Sequence, residues 1–236
     1  VKMPSPNASL KPKSLDWNLW LGPASQKEYT PNLHPFNWRG WWEYGTGALG
    51  DVGCHLIDIP FRTLGLKYPK SAECSVGSVF TKMWNPDYFP EGCPPSSLIT
   101  LNFDSTEKSK SPIELTWTDG GIRPPHPDII PADSDIGGEN SLNGVLMIGD
   151  KGIISTNIND SSPLMPKLYL YDGDTEFGPE TEQMPEPEYG HQRKWVDACK
   201  AGFNSKQHKE LTSSFDYAGP MTETVLMGNL AIRSYM

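Results

Sequence analysis

The stretch that decides the fold is Gly47-Ala48-Leu49-Gly50-Asp51-Val52-Gly53-Cys54-His55-Leu56-Ile57-Asp58. Its apolar residues recur near the 3.6-residue period of an α-helix, and the pattern extends to Leu64. We therefore predict one helix over residues 47–65, ended by Gly65. Pro60 is expected to kink its last turns, because proline has no N–H to donate.

The segments around this helix have different patterns. Residues 1–45, rich in Pro, Asn and aromatic side chains, are predicted to form an extended arm leading to the helical segment 46–66. Residues 70–172 are predicted to form a sheet and residues 185–236 the C-terminal helices. Strand-like runs cover 72–80, 98–103, 113–118, 145–148, 152–156 and 168–171, and amphipathic patterns cover 188–202 and 218–235. This order predicts one α+β domain over residues 1–236, with a large open, mostly antiparallel sheet and helices on one face.

Composition excludes several classes of partner. The formal net charge is −9 and the sequence has no block of Lys and Arg, so a nucleic-acid partner is disfavoured. No apolar run is long enough to span a membrane. The four cysteines form no C-x-x-C pair, and we expect no structural zinc site. Val1 is not a natural start, so we expect residues to precede it.

Three titratable residues fall on one side of the predicted helix. Asp51 and His55 are four positions apart, and Asp58 follows His55 by three. A carboxylate beside an imidazole can set its tautomer, and such a pair can take a proton from a substrate hydroxyl and return it. Glycines at 47, 50 and 53 are expected to leave this face open to a ligand. Two alternatives remain: a purely structural hydrogen-bonded pair, and a metal site formed by the three side chains.

Other side chains are candidates for substrate binding. Aromatic rings just before the helix can stack on the C–H faces of a sugar, and a guanidinium there can donate to hydroxyl groups. The alternative for the tryptophans is a place in the core. Three histidines elsewhere are candidates for lining a pocket, against a surface or capping role. Together with Asp58 of the helical stripe, these candidates are Trp38, Arg39, Trp41, Trp42, His34, His126 and His191.

A dinucleotide-binding fingerprint is not predicted. The spaced glycines of Gly45-Thr46-Gly47-Ala48-Leu49-Gly50 follow two tryptophans rather than a buried strand, and no acidic residue follows a second strand about 20 positions on. We therefore expect no cofactor site in this chain.

Three separated segments carry a resemblance to a known family. They are residues 38–58, 191–202 and 220–233. In that order they resemble the glucose–fructose oxidoreductase/inositol dehydrogenase (Gfo/Idh/MocA) family, whose second domain carries a G-G-x-L-x-D-x-G-x-H-x-x-D pattern. The opening Leu15–Pro23 segment is similar to a bacterial subgroup of these enzymes.

The resemblance implies a fold and an activity. Family members join a Rossmann domain, which binds NAD or NADP, to a C-terminal domain like that of dihydrodipicolinate reductase. A sugar or cyclitol binds between the two domains, and the sheet often forms homo-oligomers. By this resemblance Asp51 and His55 are the acid/base pair, and the chain is inactive without the Rossmann domain and its catalytic lysine. An NAD-dependent glycoside hydrolase and a stand-alone carbohydrate-binding or oligomerisation module are the alternatives.

Overall fold

The elements follow the predicted order of short helices, antiparallel strands and then helices. The computed structural model describes residues 2–134, 136, 143–157, 166–173, 176–177 and 189–236. The helices are α1 (Trp17–Leu21), α2 (Gly47–Leu56), α3 (Asp58–Thr63), α4 (Gly190–Ala201), α5 (Lys206–Lys209) and α6 (Phe215–Tyr235), with 3₁₀ turns at Ala8–Leu10 and Asn37–Gly40. The strands are β1 (Ser71–Val76), β2 (Ser97–Phe103), β3 (Ile113–Thr118), β4 (Gly144–Ile148), β5 (Gly152–Asn157), β6 (Lys167–Leu170) and β7 (Glu176–Phe177).

The chain divides into two compact units. The first comprises Val1–Pro124 and Glu223–Met236, and the second comprises Pro125–Thr222. Each unit has an antiparallel sheet of its own. The single domain over residues 1–236 stays a prediction.

The predicted helix over residues 47–65 is divided in two by Ile57, so α2 and α3 are separate helices. Pro60 explains the break, because in a continuous helix it would lack the hydrogen bond to the carbonyl four residues earlier. In the first turn of α3 the same proline loses nothing, since donors there have no partner within the helix. Gly65, with φ of 63°, ends α3 as predicted.

The α+β class is confirmed, but the described strands form two sheets rather than one large sheet. The first sheet has the order β1-β2-β3 and the second β4-β5-β6-β7, with antiparallel pairing throughout. After β3 the chain turns at Gly120 and Gly121, whose φ values are 63° and 92°. Asp119, just before this turn, accepts hydrogen bonds from the backbone N–H and the hydroxyl of Ser97. These contacts connect the end of β3 to the start of β2, and the glycine turn then leads the chain out of the sheet.

Helices cover one face of the first sheet, as predicted. Strand β2 alternates strictly, and its buried positions include Ile99 and Leu101, both fully buried. In α6, Gly228 lies so close to the sheet that an added Cβ would be 3.3 Å from Ile99 Cγ2 and 2.7 Å from Leu49 Cδ2 of α2. The core of the first unit is therefore a three-way contact of α2, α6 and β2.

An aromatic cluster organises the N-terminal arm. Its buried members are Trp17, Leu21, Tyr29, Leu33 and Trp41. The Trp17 ring stacks on that of Trp20 with centroids 4.6 Å apart, and the Trp17 Nε1–H donates to the Lys27 carbonyl at 2.8 Å. This arm contains helix α1, which begins after an Asp16 side-chain cap and ends at Gly22.

The second unit has a smaller core of Ile130, Ile153 and Tyr169. Helix α4 ends at Gly202 as expected, but its predicted apolar side is not buried: Trp195 is 61% exposed, while Ala198 is buried. Within the described residues, no helix of the chain is both long and apolar enough to cross a membrane.

We expect Gly228→Ala to destabilise the chain by about 1–3 kcal/mol, because the added methyl group overpacks a core of fully buried side chains. Urea unfolding measures this loss. In the double variant Gly228→Ala/Leu49→Ala the destabilisation should be smaller than the sum of the two single effects, since the shortened side chain relieves the clash. Simple additivity would contradict the contact.

Candidate active site

The two predicted acid/base residues lie on helix α2 and are both exposed. The opposite side of α2 is buried through Leu49, Gly53 and Leu56. Since residues four apart on a helix share a side, Asp51 and His55 face away from the core together. The helical spacing on which the sequence prediction depended is thus present.

Asp51 forms an ion pair that the sequence did not predict. Arg39 Nε donates to Asp51 Oδ1 at 2.8 Å, and the two side chains are 30% and 39% exposed. The guanidinium also donates to the Phe36 carbonyl at 3.0 Å. Its carbon atom lies 4.3 Å from the Phe36 ring centroid and 4.7 Å from that of Trp38. Arg39 is therefore held against a carboxylate and two aromatic rings.

The other two members of the predicted stripe are arranged differently. In the described part of the chain, the His55 imidazole forms no hydrogen bond to Asp51 or to another protein group. Asp58 lies beyond the helix break, at the start of α3, where its Oδ1 accepts a hydrogen bond from Arg62 Nη2 at 3.3 Å. Only Asp51 and His55 thus share one continuous helix.

The glycines of α2 do not open its surface to a ligand, and that expectation is wrong. A Cβ on Gly53 would lie 3.5 Å from Val225 of α6, and one on Gly50 would collide with the Thr46 side chain, with Asn229 Nδ2 3.8 Å away. A Cβ on Gly47, with φ of 68°, would lie 3.1 Å from the Cys93 side chain. Small residues are needed here because the protein itself packs closely, not because a ligand approaches.

The tryptophan candidates separate by burial. Trp41 is 7% exposed within the aromatic cluster, which favours the alternative of a place in the core, and its assignment to substrate binding stays a prediction. Trp38 and Trp42 are half-buried, and the guanidinium carbon of Arg233 lies 5.5 Å from the Trp42 ring centroid. His34 is half-buried and meets Trp20 edge to face. Trp38 and Trp42 thus retain surface for a ligand.

Trp38 lines an open cavity of about 500 Å³. Among the other residues around it are Trp20, Glu43 and Tyr44, and Lys27 is paired with Glu43. The hydrogen bond to Glu43 raises the pKa of Lys27, so this cation stays charged. Burial and the nearby Glu43 carboxylate raise the pKa of Tyr44, whose hydroxyl stays neutral. The cavity therefore offers aromatic surface and a neutralised ion pair, whereas the Tyr44 hydroxyl is itself buried.

Two histidine candidates lie in the second unit. His126 is exposed, and its ring nitrogens contact the carbonyls of Pro127 and Ser134, both at 3.2 Å. His191 is exposed beside a cavity of about 940 Å³ that is also lined by Trp195 and Phe203. Their roles in substrate binding stay predictions.

The sequence also raised a metal site and a dinucleotide-binding loop as alternatives for the region around α2. No three His, Cys, Asp or Glu side chains among them lie close enough together to hold a metal ion. The spaced glycines at the start of α2 do not follow a strand, since Trp41 forms only an isolated bridge to Gly92. This part of the chain thus lacks the strand–loop–helix unit that cradles a dinucleotide.

The described elements form an α+β fold in which Asp51 and His55 are exposed on one side of α2. Residues 5–73, which contain Arg39, Asp51 and His55, match the model of an oxidoreductase family, C-terminal alpha/beta domain. This segment is similar to the C-terminal domain of the Gfo/Idh/MocA oxidoreductases, and the predicted resemblance is confirmed over these residues. A search of curated proteins finds no match to the chain.

Sequence reasoning missed three features around this site. Arg39 and Asp51 are twelve positions apart across an irregular loop, so no periodic pattern connects them. Cys93 is buried, and its backbone N–H donates to the Gly40 carbonyl at 2.8 Å. Asn229 is buried in α6, and neither polar atom of its side chain has a hydrogen-bond partner among the described residues. The sequence signal that could have identified Asn229 as buried is its position in the apolar pattern of α6.

We expect Cys93 to resist alkylation. Burial raises its pKa to about 11, so at pH 8 the reactive thiolate is about one part in a thousand. Cys54 and Cys199 are exposed and should react first with iodoacetamide, as peptide mass spectrometry can show. Modification of Cys93 should accelerate as the pH rises toward 11. Labelling of Cys93 as fast as Cys54 at pH 8 would contradict its burial.

Proposed function

We propose that this chain supplies the substrate-binding and proton-transferring residues of an NAD(P)-dependent oxidoreductase. The substrate is a hydroxyl or ketone group of a sugar or cyclitol. The observation that carries the proposal is that Asp51 and His55 are exposed on one side of α2, with the carboxylate fixed by Arg39. This pair lies in the segment that matches an oxidoreductase family.

The acid/base chemistry follows from these two side chains. The His55 imidazole, which has no hydrogen-bond partner among the described residues, accepts the proton of the substrate hydroxyl as the carbon that bears this hydroxyl is oxidised, and returns it in the reverse direction. Asp51, one helical turn away on the same side of α2, can accept a hydrogen bond from the imidazole and stabilise the imidazolium that forms. Because neither side chain is buried, both groups are accessible to a substrate from solvent.

The dinucleotide belongs to a separate Rossmann domain in this proposal. A bound nicotinamide supplies the hydride acceptor or donor. We therefore expect the isolated chain to be inactive until that domain is present. Whether NAD or NADP is used is then decided outside these residues.

Substrate contacts are assigned to the half-buried aromatic rings beside α2. Trp38 and Trp42 retain exposed ring surface, which can stack on the C–H face of a sugar, and Asp58 can accept from hydroxyl groups. The exposed face of the first sheet, with Glu73 and Thr116, is the surface proposed for homo-oligomers.

We expect His55→Ala to lower kcat/KM by about 10²- to 10⁴-fold and Asp51→Asn by on the order of 10²-fold, since both changes remove the general base or its orientation. Dinucleotide reduction measures the rates, in the oxidoreductase assembled with its Rossmann domain and supplied with a panel of sugars and cyclitols. Cys54→Ala, an exposed neighbour on α2, and Asp104→Asn, a carboxylate elsewhere in the first unit, are controls that should change the rates by less than about twofold.

The product distinguishes the alternatives. Net dinucleotide reduction supports the oxidoreductase. Release of an aglycone from a glycoside without net reduction would point to an NAD-dependent glycoside hydrolase. Sugar binding with no turnover in the assembled protein would leave a carbohydrate-binding module. Normal turnover by His55→Ala would exclude the mechanism proposed here.

A further inference from the structure

We propose that Arg39 is a positioning residue, which acts through Asp51 rather than by touching the substrate. This inference rests on the proposed function. Arg39 donates to one carboxylate oxygen, Oδ1, at 2.8 Å. Among the described residues the second oxygen of Asp51 has no hydrogen-bond partner, so it is available to the imidazole of His55.

The guanidinium is held in place before any ligand arrives. The Phe36 and Trp38 rings lie 4.3 and 4.7 Å from its central carbon, and a second N–H donates to the Phe36 carbonyl. An exposed ion pair normally contributes little because two long side chains must be ordered to form it. Here the stacking and the carbonyl contact restrict one partner independently of Asp51, so the pair sets a direction for the carboxylate.

The backbone of Arg39 is fixed as well. An added Cβ on Gly45 would lie 2.6 Å from Arg39 Cα and 2.7 Å from the Arg39 carbonyl oxygen, so only glycine allows this approach. On the other side, the Gly40 carbonyl accepts from the Cys93 backbone N–H. The position of the guanidinium is therefore determined by the loop on both sides of it.

Direct substrate binding by Arg39 is the competing role, because other N–H groups of the guanidinium remain for a ligand. The two roles predict different kinetics. A residue that binds the substrate equally in the ground state and the transition state changes KM. A residue that only orients Asp51 changes kcat, and has no effect once Asp51 has lost its charge.

A double-mutant cycle tests this in the oxidoreductase assembled with its Rossmann domain. We expect Arg39→Gln to lower kcat about tenfold with KM within about twofold of the parent. The double variant Arg39→Gln/Asp51→Asn should be no slower than Asp51→Asn alone. Lys70→Gln, which breaks the exposed pair with Asp104, is the matched control and should leave kcat unchanged.

A second variant leaves Arg39 chemically intact. Gly45→Ala should displace its backbone and lower kcat in the same way, again with no added effect on Asp51→Asn. The ¹H–¹⁵N resonance of Arg39 Nε gives a readout that does not need turnover: it should shift in Asp51→Asn and Gly45→Ala but not in Lys70→Gln.

The outcomes separate two failures. If Arg39→Gln raises KM at constant kcat, or if its effect multiplies with that of Asp51→Asn, Arg39 binds substrate directly and the positioning role is overturned. An Arg39 Nε resonance that does not shift in Asp51→Asn would overturn that role as well. If instead His55→Ala and Asp51→Asn retain normal turnover, the proposed function itself has failed, whatever Arg39 does.

Discussion

The close approach of α2 and α6 over strand β2 is the constraint on which the first unit depends. Gly228 of α6 meets Leu49 of α2 and Ile99 of β2, while Gly53 of α2 faces Val225 of α6. Helices that present glycine at a contact can approach until side chains from both elements fill the space between them. One side of α2 is thereby buried, and the opposite side must face away from the core.

That orientation leaves Asp51 and His55 exposed, as the proposed proton transfer requires. Burial of Leu49 and Leu56 fixes the rotation of α2 about its axis, and this rotation places residues 51 and 55 on the exposed side. Helix α2 places the Asp51 and His55 side chains on the exposed side, and the preceding loop places the positive charge of Arg39 beside Asp51. Neither element forms the site without the other, which joins a packing constraint in the core to an electrostatic one at the surface.

The alternation of strands, the periodicity of helices and the glycines that end them predicted most of the secondary structure. The six predicted strands are present within a few residues, and Gly65 and Gly202 end helices as expected. Pro60 indicated a disturbance of the helix, and we predicted a kink there. The structure instead begins a new helix, α3. The single large sheet was wrong because alternation shows that a strand is half-covered, not which strand it pairs with.

The candidate site was predictable only in part, for a similar reason. The i, i+4 spacing of Asp51 and His55 is local and survives in α2. The Arg39 contact is not local, since it depends on how the loop between two helices folds back. The glycines of α2 were misinterpreted because a glycine in the sequence does not show what occupies the space beside it. That space can hold a ligand or, as at Gly53, the side chain of Val225.

The tip and the base of the connection between β1 and β2 differ in how much sequence change they can accept. At its tip, Met83 and Trp84 are 80% and 85% exposed and contact little, so substitutions and insertions there cost the fold almost nothing. At its base, Cys93 holds the Gly40 backbone next to Arg39. A change in length there would move the guanidinium and with it the carboxylate on α2. Among descendants of one ancestor, the tip is thus free to diversify while the base changes only together with the loop that carries Arg39.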